Sequence, residues 1–339
     1  MASTDAPVPD GSGLALPILD EGLEARLRDR LAQVEARLER EIVSEAPFVT
    51  RAARHLLSAG GKRFRPLLVL LAAEAGDPTA EEVITSACVV ELTHLGSLYH
   101  DDVMDDADIR RGAESANARW DNLVAILTGD FLFAKSSELT ATLGPDAVRI
   151  QAQTFAELVE GQILESLGPT DGEDPLAHHL RVIAGKTGSL IATSARYGAR
   201  FAGVSSEVEE ALTAYGAVIG TAFQLSDDIL DVASDSAESG KTPGTDLREG
   251  VPTLPVLIAK QSTDPGDARL LELLDSDLSD DTLHAEALAL LRKHPAMDEA
   301  RSYVRERARE ARELISVLPD GPVRQALDAF ADLVATRTT

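Results

Sequence analysis

From Leu23 the apolar residues fall at Leu23, Leu27, Leu31, Val34, Leu38 and Ile42. Steps of three and four place them on one stripe of a helix. The same spacing returns along most of the chain, and no segment sustains the alternation of a half-buried strand. This period predicts an all-α fold. Ala, Leu, Glu and Arg, all strong helix formers, dominate the composition. Gly and Pro gather in short clusters at Gly60-Gly61, Gly76-Asp77-Pro78, Gly168-Pro169, Gly172 to Pro175, Gly240 to Gly250 and Pro319 to Pro322. Such clusters break helices, so ten or more helices are expected without an interdomain linker. The reading is a disordered leader over residues 1–18 and a single all-helical domain over 19–339. Aromatics are only 4% of residues, so the core must rest on Leu, Val, Ile and Ala.

Charge excludes several partners. With 32 Lys+Arg against 57 Asp+Glu the net charge is −25, so a general positive field for nucleic acid or anionic lipid is absent. Cys88 is the single cysteine and has no partner for an internal disulfide, which suits a reducing compartment. The N-terminus shows neither a basic stretch nor an apolar run. The longest apolar block, residues 67–73, falls far short of the roughly 20 residues a bilayer demands. The expectation is a cytoplasmic protein without a stable membrane anchor.

One motif appears twice. Asp101-Asp102-Val103-Met104-Asp105 and Asp227-Asp228-Ile229-Leu230-Asp231 share the pattern D-D-x-x-D, each at the end of a long helical pattern. The first and last Asp are i and i+4, hence on one helix face, where like charges repel and oppose the dipole of a helix C-terminus. A solvated acidic helix end would explain one such motif; two on matched helices point to compensating cations. Carboxylates without neighbouring His or Cys favour Mg²⁺, which keeps positions open for water and substrate phosphate. Basic residues stand at glycine breaks beside them. Gly60-Gly61-Lys62-Arg63-Phe64-Arg65-Pro66 packs three into four positions, Arg110-Arg111-Gly112 follows the first Asp cluster, Lys186-Thr187 lies between glycines, and Lys241 follows the second cluster. Each alone reads as surface charge. Together with metal carboxylates they describe a diphosphate site.

These residues resemble the trans-isoprenyl (polyprenyl) diphosphate synthase family. GGKRFRP, HDDVMDDADIRRG, GDFLFA, GKTGSL and FQLSDDILDVASDSAESGKTPGTDLREG occur in that family's order and approximate spacing, from Gly60 to about Leu257. The resemblance implies an isoprenoid-synthase-type helical bundle around a central cavity, with the Asp motifs facing each other across its mouth, and a homodimer. It assigns Asp101, Asp105 and Asp227 to Mg²⁺, with Asp102, Asp228 and Asp231 as further ligands or their supporting partners. It also assigns Lys62, Arg65, His94 and Arg111 to isopentenyl diphosphate, and Arg110, Lys186 and Lys241 to the allylic diphosphate. His94 precedes Asp101 by seven residues, on the same helix face. The implied reaction ionises the allylic diphosphate and adds a C5 unit, with Thr187 and Gln224 near the cation. Two departures stand out: Ala113-Glu114-Ser115 replaces the family's usual x-Pro-Thr, and Gly161-Gln162-Ile163-Leu164-Glu165 exchanges a Glu and a Gln.

Product length is approached from helix geometry. Ser97, Gly96, Thr93 and Val90 lie beneath Asp101 on the cavity-facing stripe. Short-chain members often carry an aromatic at the level of Gly96, and this stripe has none. A product of roughly C30 to C50, for a quinone such as menaquinone, is the expectation from the resemblance and the stripe. A glycine that only permits close helix packing is the plain alternative, and Phe131 and Phe133 on another helix are candidates for a deeper floor. Competing functional readings are a short-chain (farnesyl or geranylgeranyl) synthase, a class I terpene synthase and a subunit of a heteromeric synthase.

Overall fold

The stripe that begins at Leu23 forms α1 (Glu21–Glu41), with Leu23, Leu27, Val34 and Leu38 buried. Asp20 caps it by accepting from the Leu23 amide at 2.7 Å, which satisfies one of the helix's orphan donors. The structure, a computed structural model, describes residues 14, 16–233 and 243–337. After α1 come α2 (Pro47–Ala53), α3 (His55–Ser58), α4 (Phe64–Ala73) and the long α5 (Glu81–Met104). Beyond a short hairpin lie α6 (Ala116–Arg119), α7 (Asn122–Thr142), α8 (Pro145–Leu167), α9 (Pro175–Ile183), α10 (Ser189–Phe201) and α11 (Ser206–Ala233). The C-terminal part adds α12 (Thr245–Arg248), α13 (Leu254–Ala259), α14 (Ala268–Leu274), α15 (Asp281–Leu291), α16 (Ala296–Leu314) and α17 (Pro322–Thr336).

The two Asp-bearing helices, α5 and α11, are at the centre of the packing. α5 packs most extensively on α7, α10 lies between α4 and α11, and α16 covers the other side of α11. Small residues set these crossings. A Cβ on Gly198 would stand 2.1 Å from the Val69 carbonyl oxygen, so α10 and α4 approach backbone to backbone only because Gly198 has no side chain. The buried side chains, from Leu14 to Val334, join one aliphatic cluster of mainly Leu, Val, Ile and Ala.

The all-α expectation holds, with one local exception. Ile109–Arg110 (β1) pairs antiparallel with Ala113–Glu114 (β2), through a two-residue turn in which Arg111 (φ 55) and Gly112 (φ 72) both adopt left-handed backbone. Such a turn matches the twist of a hairpin, and two-residue strands are too short to leave an alternating pattern. The departure at Ala113-Glu114-Ser115 is thus accommodated: Ala113–Glu114 is β2, and Ser115 caps α6 by accepting from the Ala118 amide. Most of the expected leader, residues 1–13 and 15, lies outside the described residues. Leu14, Leu16 and Ile18 are buried, because an extended segment with apolar residues at every second position presents one apolar face. Among the described residues, no helix is long and apolar enough to cross a membrane.

Candidate active site

The first Asp cluster terminates its helix. Asp101 and Asp102 occupy the last turn of α5, and Asp105 is its C-cap, donating its amide to the Asp101 carbonyl at 2.8 Å. Asp102 is fully buried and accepts from Arg110 Nε at 2.5 Å, while Arg110 Nη2 stands 3.9 Å from Asp105. The other Asp102 oxygen, Oδ2, is buried with no hydrogen-bond partner. Burial pushes the Asp101 carboxyl up to about 6; Lys186 opposes this and Asp105 reinforces it. A cation beside these oxygens would restore the charged form that burial disfavours.

The second cluster lies inside its helix, and each of its members has a protein partner. Asp228 Oδ2 is 2.9 Å from His179 Nε2 and accepts from the Leu254 amide at 3.1 Å. Asp231 accepts from the Thr245 and Asp246 amides at 3.1 and 3.2 Å, tethering the turn that forms α12. Asp227 pairs with Arg337 Nη2 at 2.7 Å. Arg337 also donates from Nε to Ser226 Oγ at 2.6 Å and lies 3.9 Å from the centre of the Phe223 ring. A fourth carboxylate joins them: burial, then Asp231 and Asp228, push Asp246 up to about 7. Asp246, His179 and Arg337 were missed by sequence reasoning. Asp246 stands in the GTDLREG stretch already singled out, whereas nothing in the local sequence marks His179 or Arg337, whose partners lie 49 and 110 positions away.

The basic residues converge on the first cluster. Gly60-Gly61 turns the chain so that Arg63, itself left-handed (φ 48), can enter the core. There it meets Glu35 at 2.6 Å and the buried Glu91 at 3.1 Å, so the middle basic residue of this loop is structural. Arg111 Nη2 lies 4.0 Å from the same Glu91, and a Cβ on Gly61 would meet Arg111 at 2.8 Å. Burial lowers Arg65 to about 10, with Glu91, Arg111 and Asp101 as its charged neighbours. Burial, then Arg65, Arg111, Arg63 and Arg110, hold His94 well below its ordinary value. The imidazole is therefore neutral among guanidiniums. Lys62 is half-exposed in the same loop.

Lys186 sits in a π-helical turn, Ala184–Gly188, a distortion often found at functional sites. Its ammonium pairs with Glu165, and Gly161 lets α8 approach, since a Cβ there would lie 2.5 Å from the Lys186 amide. Thr187 and Gln224 are half-buried on the π turn and on α11. Lys241 lies outside the described residues.

On the chain-length stripe the structure brings one of the aromatic candidates, Phe133, against Gly96. A Cβ on Gly96 would touch the Phe133 ring at 2.8 Å, and Phe133 packs on Phe155 with ring centres 4.5 Å apart. The level that α5 leaves free of aromatics is filled from α7. Gly96 also serves close packing, because a Cβ on Gly129 would come within 2.9 Å of its carbonyl oxygen. Thr93 is fully buried, and Ser97 Oγ donates to the His94 carbonyl at 2.8 Å.

Comparison with known proteins decides what these features belong to. Residues 46–291 match the polyprenyl synthetase family. The chain belongs to that family. A nonaprenyl diphosphate synthase of Mycobacterium tuberculosis is 47% identical over 94% of this chain and 95% of its own. Heptaprenyl diphosphate synthase component 2 of Bacillus subtilis is 36% identical over 92% and 89%. The crystal structure of geranylgeranyl pyrophosphate synthase from Corynebacterium glutamicum, complexed with calcium and isoprenyl diphosphate, superposes with a TM-score of 0.88. It is 45% identical and covers 95% of this chain and 99% of that one. The protein is a prenyltransferase with the all-α isoprenoid synthase fold. The terpene-synthase reading falls away with the family match.

Proposed function

We propose that this polyprenyl synthetase is a Mg²⁺-dependent all-trans-polyprenyl diphosphate synthase. It would condense isopentenyl diphosphate with an allylic diphosphate to a product of about C30–C50, the length class of the nonaprenyl and heptaprenyl relatives. The observation that carries the reading is the meeting of the first, all-oxygen Asp cluster with Arg110, while Arg63 and Arg111 gather on Glu91 beside His94. The donors suit Mg²⁺, and the partnerless Asp102 Oδ2 and the raised Asp101 fit a cation. Among the described residues no three His, Cys, Asp or Glu side chains form a cage by themselves, so substrate phosphate would complete the shell. When bound, Mg²⁺ would neutralise charge on the departing diphosphate.

Residues of the chain supply the rest. Arg110 orients Asp102, and with Lys186 and Lys241 it would bind the allylic diphosphate; Lys62, Arg65, His94 and Arg111 would bind isopentenyl diphosphate. Thr187 and Gln224 would face the allylic cation with oxygen dipoles, while the aliphatic walls keep water from quenching it. A homodimer is part of the proposal: Leu123, Ile126 and Leu127 on α7 and Val159, Ile163 and Leu167 on α8 are exposed apolar residues that a second copy would cover. The proposed setting is cytoplasmic, with no nucleic acid and no stable membrane anchor.

The test incubates the purified chain with Mg²⁺, farnesyl diphosphate and isopentenyl diphosphate, then separates the dephosphorylated products by chromatography. Elongation to six or more C5 units is expected, and no consumption of isopentenyl diphosphate would overturn the proposal. Phe133 over Gly96 favours the short-chain reading, and a product ending at three or four units would establish it. Activity that appears only with a second subunit would instead identify a heteromeric component.

A further inference from the structure

Two turns below Asp101, the apolar core is interrupted by a layer of polar side chains contributed by four helices. Thr93 on α5 accepts a hydrogen bond from Gln151 Nε2 on α8 at 2.7 Å. The Thr93 hydroxyl is also 2.9 Å from Ser136 Oγ on α7 and donates to the Val89 carbonyl at 2.9 Å. One turn along α8, Thr154 Oγ1 meets Thr193 Oγ1 of α10 at 2.6 Å. Thr93, Ser136, Gln151, Thr154 and Thr193 are all at most 9% exposed. The other amide atom, Gln151 Oε1, is buried with no hydrogen-bond partner. A buried, half-satisfied amide weakens a core that an apolar residue of equal size would fill better. Its position suggests a role outside stability.

Resting on the short-chain alternative named above, we propose that Gln151 is a specificity-determining residue: its hydrogen bond to Thr93 is a crossbar between α5 and α8 that ends product elongation at the depth of Thr93. Thr93 lies eight residues before Asp101, about 12 Å down the helix. A hydrocarbon tail descending past Ser97 and Gly96 meets the Phe133 and Phe155 rings, which are apolar and can be displaced by rotation. At the next level it meets the amide and hydroxyls. Entering between them separates Gln151 from Thr93 and strands the Gln151 amide in a dry interior, with nothing on a prenyl chain able to bond to it. Polarity, more than bulk, would therefore stop the chain.

Gln151→Met isolates that property, since Met is unbranched and of similar length but cannot bridge to Thr93. It strands nothing, because Thr93 keeps the Val89 carbonyl and Ser136. The variant and the wild type are assayed with Mg²⁺, farnesyl diphosphate and isopentenyl diphosphate, with Gln153→Met, on the exposed face of α8, as the control. The expected result is a main product at least one C5 unit longer for Gln151→Met only, at a melting temperature no lower than wild type. Unchanged or shortened product from an active variant overturns the crossbar. Lengthening by Gln151→Ala but not by Gln151→Met also overturns it, since bulk alone would then set the length. A wild type that makes no prenyl product overturns the synthase reading, and the crossbar with it.

Discussion

The two D-D-x-x-D clusters are identical in pattern and opposite in environment. The first ends its helix: Asp105 caps α5, Asp101 is buried with its carboxyl raised to about 6, and Asp102 keeps one oxygen without a partner. The second is embedded in α11 and tied to distant elements, with His179 of α9 on Asp228, the amides of α12 on Asp231, and Arg337 after α17 on Asp227. The first cluster is met by Arg110 from the neighbouring hairpin, and the second by groups from α9, α12 and the end of the chain. The same five-letter motif therefore carries different duties. In the proposed function the first would take a cation, while the second would exchange its existing partners or act with them.

The largest expected effect comes from removing a carboxylate. Asp101→Ala should lower the rate of condensation by about a thousandfold, and Asp227→Ala by a comparable factor if Asp227 also serves the metal. Steady-state kinetics with isopentenyl diphosphate checks both. A large loss for Asp101 alone would reduce the second cluster to a structural device.

Next in size is Arg337→Met, which leaves Asp227 without its guanidinium. Breaking a buried ion pair costs about 3–5 kcal/mol, so the metal-free protein should melt several degrees lower. Mg²⁺ with a diphosphate ligand should recover much of that loss by supplying a replacement cation. An equal drop with and without Mg²⁺ would show that Arg337 acts only through packing on Phe223.

His179→Phe should have a smaller effect. Partners that orient metal ligands are worth about 10- to 100-fold in metal affinity, so Mn²⁺ binding followed by electron paramagnetic resonance should weaken by that factor. His179→Gln, which retains a donor, should recover part of it. Unaltered Mn²⁺ binding in both variants would mean that the Leu254 amide suffices to hold Asp228.

This contrast explains what could be read in the sequence. The helical period of Leu23 to Ile42 and the glycine breaks revealed the fold because they are local properties of consecutive residues. The Asp motifs, Arg65, His94, Arg110, Arg111 and Lys186 could be singled out as candidates because unlike charges were concentrated at helix ends and turns. His179, Asp246 and Arg337 were not, because their significance depends on which helices become neighbours. For the floor, the sequence offered both an opening at Gly96 on α5 and Phe133 from another helix, and only the packing of α5 on α7 brings that ring against Gly96. Arg63 shows the converse, a residue within a functional-looking loop whose guanidinium serves the core through Glu35 and Glu91.

The subtlest difference lies beneath the clusters. Four residues before Asp101 stands Ser97, half-buried, whereas four before Asp227 stands Phe223, between Phe64 and Phe330 at 5.9 and 6.1 Å. Aromatic stacking occupies the α11 side, and in the proposed function a growing chain would descend along α5. Ser97→Phe should impose the same closure there and shorten the product by one or more C5 units, with the first condensation within about tenfold of wild type. Gly96→Phe is a poorer probe, because its ring would collide with Phe133 and disturb the α5–α7 contact. Chromatography of the dephosphorylated products decides: an unchanged length with Ser97→Phe would mean the tail does not pass beneath the first cluster, and the asymmetry between the two helices would have no bearing on product size.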